Sequence, residues 1–110
     1  MTVNEVAKKL NLTFYSGEEF SDKKVKGCYI GDLLSLAMSK VQADYAWITI
    51  QTNVNIVAVS ALADAGCIIL ADGCVPDETA VKRAEEQEVV VLGSDLSAYE
   101  LAVGLSEMGV

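Results

Sequence analysis

The feature that most constrains this chain is a recurrence in its second half. Three short uncharged runs, "YAWITI" at 45–50, "CIILA" at 67–71 and "VVVL" at 89–92, are separated by stretches with helical character. Strands apolar at every position fit a sheet that is covered on both faces. A helix between successive strands acts as a right-handed crossover and makes those strands parallel. The expected fold is α/β: a single layer of mostly parallel sheet covered by helices on both faces.

The boundaries follow from local chemistry. Thr2 and Glu5 stand at the spacing of a reciprocal capping box, and Val3, Val6, Ala7 and Leu10 then share one helical face. Asn11 ends this helix, residues 12–15 read as a short strand, and 16–26 is polar, turn-rich and expected to be the most mobile part. Residues 25–30 read as a second strand. Leu34, Ala37, Met38 and Val41 give the next helix its apolar stripe. Asn53 suits the N-cap of a helix over 54–64, which Ala65-Gly66 ends. Pro76 and Asp77 open a helix with Ala80, Val81 and Ala84 inward, and Ser97-x-x-Glu100 is a second capping box before Leu101, Ala102, Leu105 and Met108. Length allows one domain, residues 1–110, with a core that needs no metal or disulfide staple.

Charge narrows the partners. Sixteen acidic against eight basic residues and no histidine give a formal charge of -8, a surface that repels nucleic acid and anionic lipid. With 52% hydrophobic residues, the chain has ample surface to bury and is not of the disordered acidic class. No export signal and no uncharged span of about 20 residues is visible, so a cytoplasmic protein is expected. Cys28, Cys67 and Cys74 are odd in number and form no C-x-x-C pair, which argues against a disulfide framework or a zinc ribbon. Cys67, inside an apolar strand, reads as a small buried hydrophobe.

In an open parallel sheet, ligands bind beyond the carboxyl ends of the strands. Those positions are Gly31-Asp32, Gln51-Thr52-Asn53, Asp72-Gly73 and Gly93-Ser94-Asp95. They carry amides, hydroxyls and carboxylates but no basic group, and no phosphate-binding glycine motif is present. A cofactor is therefore not expected. Asp32, Asp72 and Asp95 could hold a cation only if the fold brought two together. A ligand site, if there is one, is expected where Gln51, Thr52 and Asn53 meet Asp72 and Gly73. Each of these residues also has a structural use, Asn53 as a cap and Gly73 as a turn former.

The stretches "GDLLSLAMSK", "WITIQTNVNIVAVSALADAGCIILADGCVPDE" and "VVVLGSDLSAYELAVGL", taken in order, resemble the DRTGG domain, related in fold to the amino-terminal domain of HPr kinase/phosphorylase. The similarity runs over nearly all of residues 1–110. It places the family's Gly-Asp-Arg turn on Gln51, Thr52 and Asn53 and its Thr-Gly-Gly turn on Ala71, Asp72 and Gly73, where only Gly73 matches. The family arginine, the group in that turn suited to an anion, has no counterpart here. The kinase's catalytic domain and P-loop are absent, so kinase activity is not expected. The resemblance implies a stand-alone, non-catalytic regulatory or interaction module in bacterial metabolic or redox regulation, with a regulatory protein as a possible partner.

A homodimer is expected on separate grounds. Val54, Ile56, Val57, Ala58, Val59, Ala61, Leu62 and Ala63 surround most of the helix over 54–64 with apolar groups, and only one side can face the sheet. The alternative is a small-metabolite sensor, nucleotides included, binding at the carboxyl-end loops. Enzymatic function ranks last, since acid-base work usually recruits a histidine or a paired carboxylate.

Overall fold

A computed structural model describes residues 1–110. Helix α1 (Val3–Leu10) begins with the predicted capping box: Glu5 N–H donates to Thr2 Oγ1 at 3.2 Å, and Thr2 N–H to Glu5 Oε1 at 3.0 Å. Asn11 closes it in the left-handed conformation, and the chain continues into β1 (Thr13–Ser16), a 3-10 turn (Glu18–Phe20) and β2 (Gly27–Ile30). Then strands and helices alternate: α2 (Leu34–Lys40), β3 (Tyr45–Thr49), α3 (Asn55–Ala63), β4 (Cys67–Leu70), α4 (Glu78–Glu86), β5 (Val91–Gly93) and α5 (Ala98–Glu107). The second capping box forms at Ser97 and Glu100.

The five strands make one sheet in the order β1-β5-β4-β3-β2. Strands β2 to β5 are parallel, and β1 pairs antiparallel to β5 with Thr13 opposite Gly93. Side chains alternate across the sheet and divide the core in two. Ala46, Ile48, Cys67, Ile69 and Leu92 pack with Val3, Val6 and Ala7 of α1 and Leu101 and Leu105 of α5. Trp47, Ile68, Leu70 and Val91 face the other way, against α2, α3 and α4 through Ala37, Ile56, Val57, Ala80 and Ala84. The α/β architecture and the two covered faces are those expected.

Two local expectations are corrected. The predicted stripe of α2 included Leu34 and Met38, but Met38 is 54% exposed and Leu34 only partly buried, while Ala37 and Val41 carry the contact. Strand β2 lies at the sheet edge, so α2 has one flank without a neighbouring helix. Residues 16–26, expected to be mobile, are tied down by long-range backbone hydrogen bonds. Val3 N–H donates to Lys23 C=O and Asn4 N–H to Ser21 C=O, Val25 N–H to Met1 C=O, and Lys26 N–H to Asp44 C=O at 2.7 Å. This segment runs so close to β4 that a Cβ on Gly66 would stand 2.4 Å from the Lys24 carbonyl oxygen.

The connections decide where a crevice can open. Each step from β2 to β5 moves in one direction across the sheet, so right-handed crossovers put α2, α3 and α4 on the same face. After β5 the chain turns to the opposite face to form α5. The helices that follow β4 and β5 therefore lie on opposite faces, although the loops leading to them stay joined by backbone hydrogen bonds.

A candidate site at the carboxyl ends of the parallel strands

The rim consists of two dissimilar halves. On the β2–β3 side, Asp32 Oδ1 accepts from Thr49 Oγ1 at 2.8 Å and from Ile50 N–H at 2.9 Å. Thr49 Oγ1 in turn accepts from Gln51 N–H, Gln51 Nε2 donates to the Asp32 carbonyl at 2.9 Å, and Asn53 Nδ2 donates to Gln51 Oε1. Asn53 Oδ1 accepts from Asn55 N–H at 2.9 Å, the capping role its position predicts, even though the regular helix starts at Asn55. Below this network the indole Nε1 of the buried Trp47 donates to Gly31 C=O at 2.9 Å. Asp32 thus serves as a strand-end clamp.

On the β4–β5 side the contacts are mainly between backbones. Asp72 (φ 57°) and Gly73 (φ 73°) are both left-handed, and Cys74 N–H closes the turn on Ala71 C=O at 3.1 Å, as a type I′ turn requires. Asp72 N–H donates to Leu96 C=O at 2.9 Å and Gly73 N–H to Ser94 C=O at 2.8 Å, while Ser94 Oγ accepts from Leu96 N–H. Next to this seam is a cavity of about 210 Å³ lined by Asn11, Thr13, Tyr15, Gly73, Gly93, Ser94 and Asp95.

The five residues singled out from sequence divide between the halves. Gln51, Thr52 and Asn53 sit between β3 and α3, and Asp72 and Gly73 lie against Ser94 and Leu96. The 51–53 loop reaches the β4–α4 loop through Asp77 N–H donating to Thr52 C=O at 2.9 Å. Sequence reasoning did not mark Asn11, Thr13 or Tyr15 for this rim, because the end of α1 and strand β1 lie some 80 positions from Gly93 and only the antiparallel β1–β5 pairing brings them there.

The charges and thiols bear on chemistry. No three His, Cys, Asp or Glu side chains gather where they could hold a metal ion. Burial pushes the Cys67 thiol up to about 12 and the Cys28 thiol up to about 11, so both are protonated at neutral pH. Both flank Ala46 in one cross-strand row, two strand spacings or ~10 Å apart, too far for a disulfide. No helix is long and apolar enough to cross a membrane.

No protein-family model and no curated protein matches the sequence. Among solved structures, the chain is similar to the crystal structure of the CBS and DRTGG domains of the regulatory region of Clostridium perfringens pyrophosphatase, complexed with the activator diadenosine tetraphosphate. The TM-score is 0.70 at 12% identity, covering 93% of this chain and 44% of that one. At that identity the likeness concerns the path of the chain: nearly all of this molecule takes a fold found in that two-domain regulatory region.

Proposed function

We propose that the chain is a non-catalytic regulatory module of the DRTGG type, related to the HPr kinase amino-terminal domain and acting as a homodimer in bacterial metabolic or redox control. The observation behind this reading is the fold shared over 93% of the chain with part of a pyrophosphatase regulatory region. The dimer rests on α3. Its inner side carries the buried Ile56, Val57, Val59 and Ser60, while Ala58, Ala61 and Leu62, the last 77% exposed, face outward. A groove between α3 and α4 continues this surface past Arg83 and Gln87. Burying such apolar surface is worth ~25 cal/mol per Å² before the costs of association. Light scattering on a size-exclusion column over a dilution series tests it. A mass near twice 11.7 kDa that falls to the monomer value in Leu62→Glu supports the dimer, and a wild-type mass of 11.7 kDa at high micromolar concentration contradicts it.

The second reading is a small-metabolite sensor, with Gln51, Thr52, Asn53, Asp72 and Gly73 as candidate contacts. The observation favouring it is the switch of face between α4 and α5 after β4 and β5, the topology at which ligands bind in parallel sheets. The neighbouring regulatory region was crystallised with a nucleotide activator, which makes nucleotides the first class to screen. A thermal-shift screen of metabolites with Thr52→Val as control tests it. A stabilising compound supports a sensor, and loss of that shift in Thr52→Val assigns it to the 51–53 loop.

A further inference from the structure

We propose that the cavity bordered by the β4–α4 and β5–α5 loops, the start of β1 and the end of α1 binds the cis-diol of a neutral sugar or nucleoside. This deepens the sensor reading and rests on it, but moves the contacts away from Gln51, Thr52 and Asn53. The position follows from topology: of the crevices between successive parallel strands, only the β4–β5 one is flanked by loops that lead to opposite faces. The 210 Å³ cavity borders that place, taking Gly73 from the first loop, Ser94 and Asp95 from the second, Thr13 and Tyr15 from β1 and Asn11 from the end of α1.

Chemistry selects the ligand class. On the β2–β3 side, the side chains of Asp32, Thr49, Gln51 and Asn53 hydrogen-bond one another or nearby backbone. Around the cavity, by contrast, the Asn11 amide, the Thr13 and Tyr15 hydroxyls and the Asp95 carboxylate make no hydrogen bond within the protein. Ser94 Oγ uses one lone pair on Leu96 N–H, leaving its proton to donate. A carboxylate accepts from both hydroxyls of a vicinal diol, an amide donates to and accepts from them, and a tyrosine ring supplies a flat apolar wall. The Tyr15 ring is held there because Gly93 has no side chain: a Cβ on it would stand 2.4 Å from Tyr15 Cε2. No lysine or arginine lines the cavity and Asp95 does, which disfavours an anionic ligand group there.

The test is an amide chemical-shift titration of the full chain with adenosine, 2′-deoxyadenosine and D-ribose. Adenosine and ribose are expected to shift the amides of Gly73, Ser94 and Asp95. Deoxyadenosine, and adenosine added to Asp95→Asn, are expected to bind about tenfold more weakly, the loss of one charge-assisted hydrogen bond. Asp95 is exposed and carries no internal bond, so Asp95→Asn should keep the native spectrum, and Thr13→Val supplies a second variant with the same expected weakening. No shift at Gly73, Ser94 and Asp95 with millimolar adenosine or ribose overturns the proposal, as does equal binding of adenosine and deoxyadenosine. Shifts confined to residues 51–53 also overturn it while leaving the sensor reading in place.

Discussion

The two halves of the carboxyl-end rim are made of similar residues and behave differently. Between β2 and β3, an aspartate, a threonine, a glutamine and an asparagine satisfy each other and hold two strand ends and a helix start together. Between β4, β5 and β1, an aspartate, a threonine, a tyrosine and an asparagine surround a cavity without pairing. The cause is the route of the chain. Where consecutive helices pack on the same face their loops join through side chains, and where the chain changes face the loops join through the backbone of Asp72 and Gly73 and leave the side chains of the outer rim unpaired. Composition alone therefore does not tell a structural cluster from an open one.

The largest effect is expected where the closed half is broken. Asp32→Ala removes the acceptor of Ile50 N–H and of the buried Thr49 hydroxyl, and should cost about 2 kcal/mol in urea unfolding. Asn53→Ala removes the cap of α3 and should cost about 1 kcal/mol by the same measurement. At the open half, Asp95→Ala should change stability by less than about 0.5 kcal/mol, because the side chain supports nothing in the fold. Equal losses at Asp32 and Asp95 would erase the distinction. A further control lies outside both halves. The Cys67 thiol is raised in the folded state from 9.0 to about 12, so its contribution is complete below pH 9 and is lost as pH climbs toward 12, when the unfolded chain alone can ionise it. Urea unfolding across that range should weaken less steeply in Cys67→Ala than in the wild type.

Much of this architecture was readable from local patterns. Both capping boxes, the left-handed Asn11, the Asn53 cap and the all-apolar strands depend on residues within a few positions of one another, and all appear in the structure. Long-range pairings were not readable. Nothing near Asp32 announces that it bonds Thr49, 17 positions on, since that depends on the β2–β3 register. Residues 16–26 looked loose because their polar composition hides backbone bonds to Met1, Val3, Asn4 and Asp44. The carboxyl-end loops of the sheet were legible from the alternation of strands and helices, but their division followed from the face on which α5 packs, which hydrophobic spacing does not encode.

The contrast between the halves can be observed most directly in the side-chain amide protons of Gln51, Asn53 and Asn11 in one spectrum of the unliganded protein. Gln51 Nε2 donates to Asp32 C=O and Asn53 Nδ2 to Gln51 Oε1, whereas Asn11 Nδ2 donates to no protein group. The account predicts slower solvent exchange for the Gln51 and Asn53 amides than for Asn11, with the Asn53 difference collapsing in Gln51→Ala, which removes its acceptor, and both differences persisting in Asp95→Ala. Equal exchange at all three side chains in the wild-type protein would contradict it.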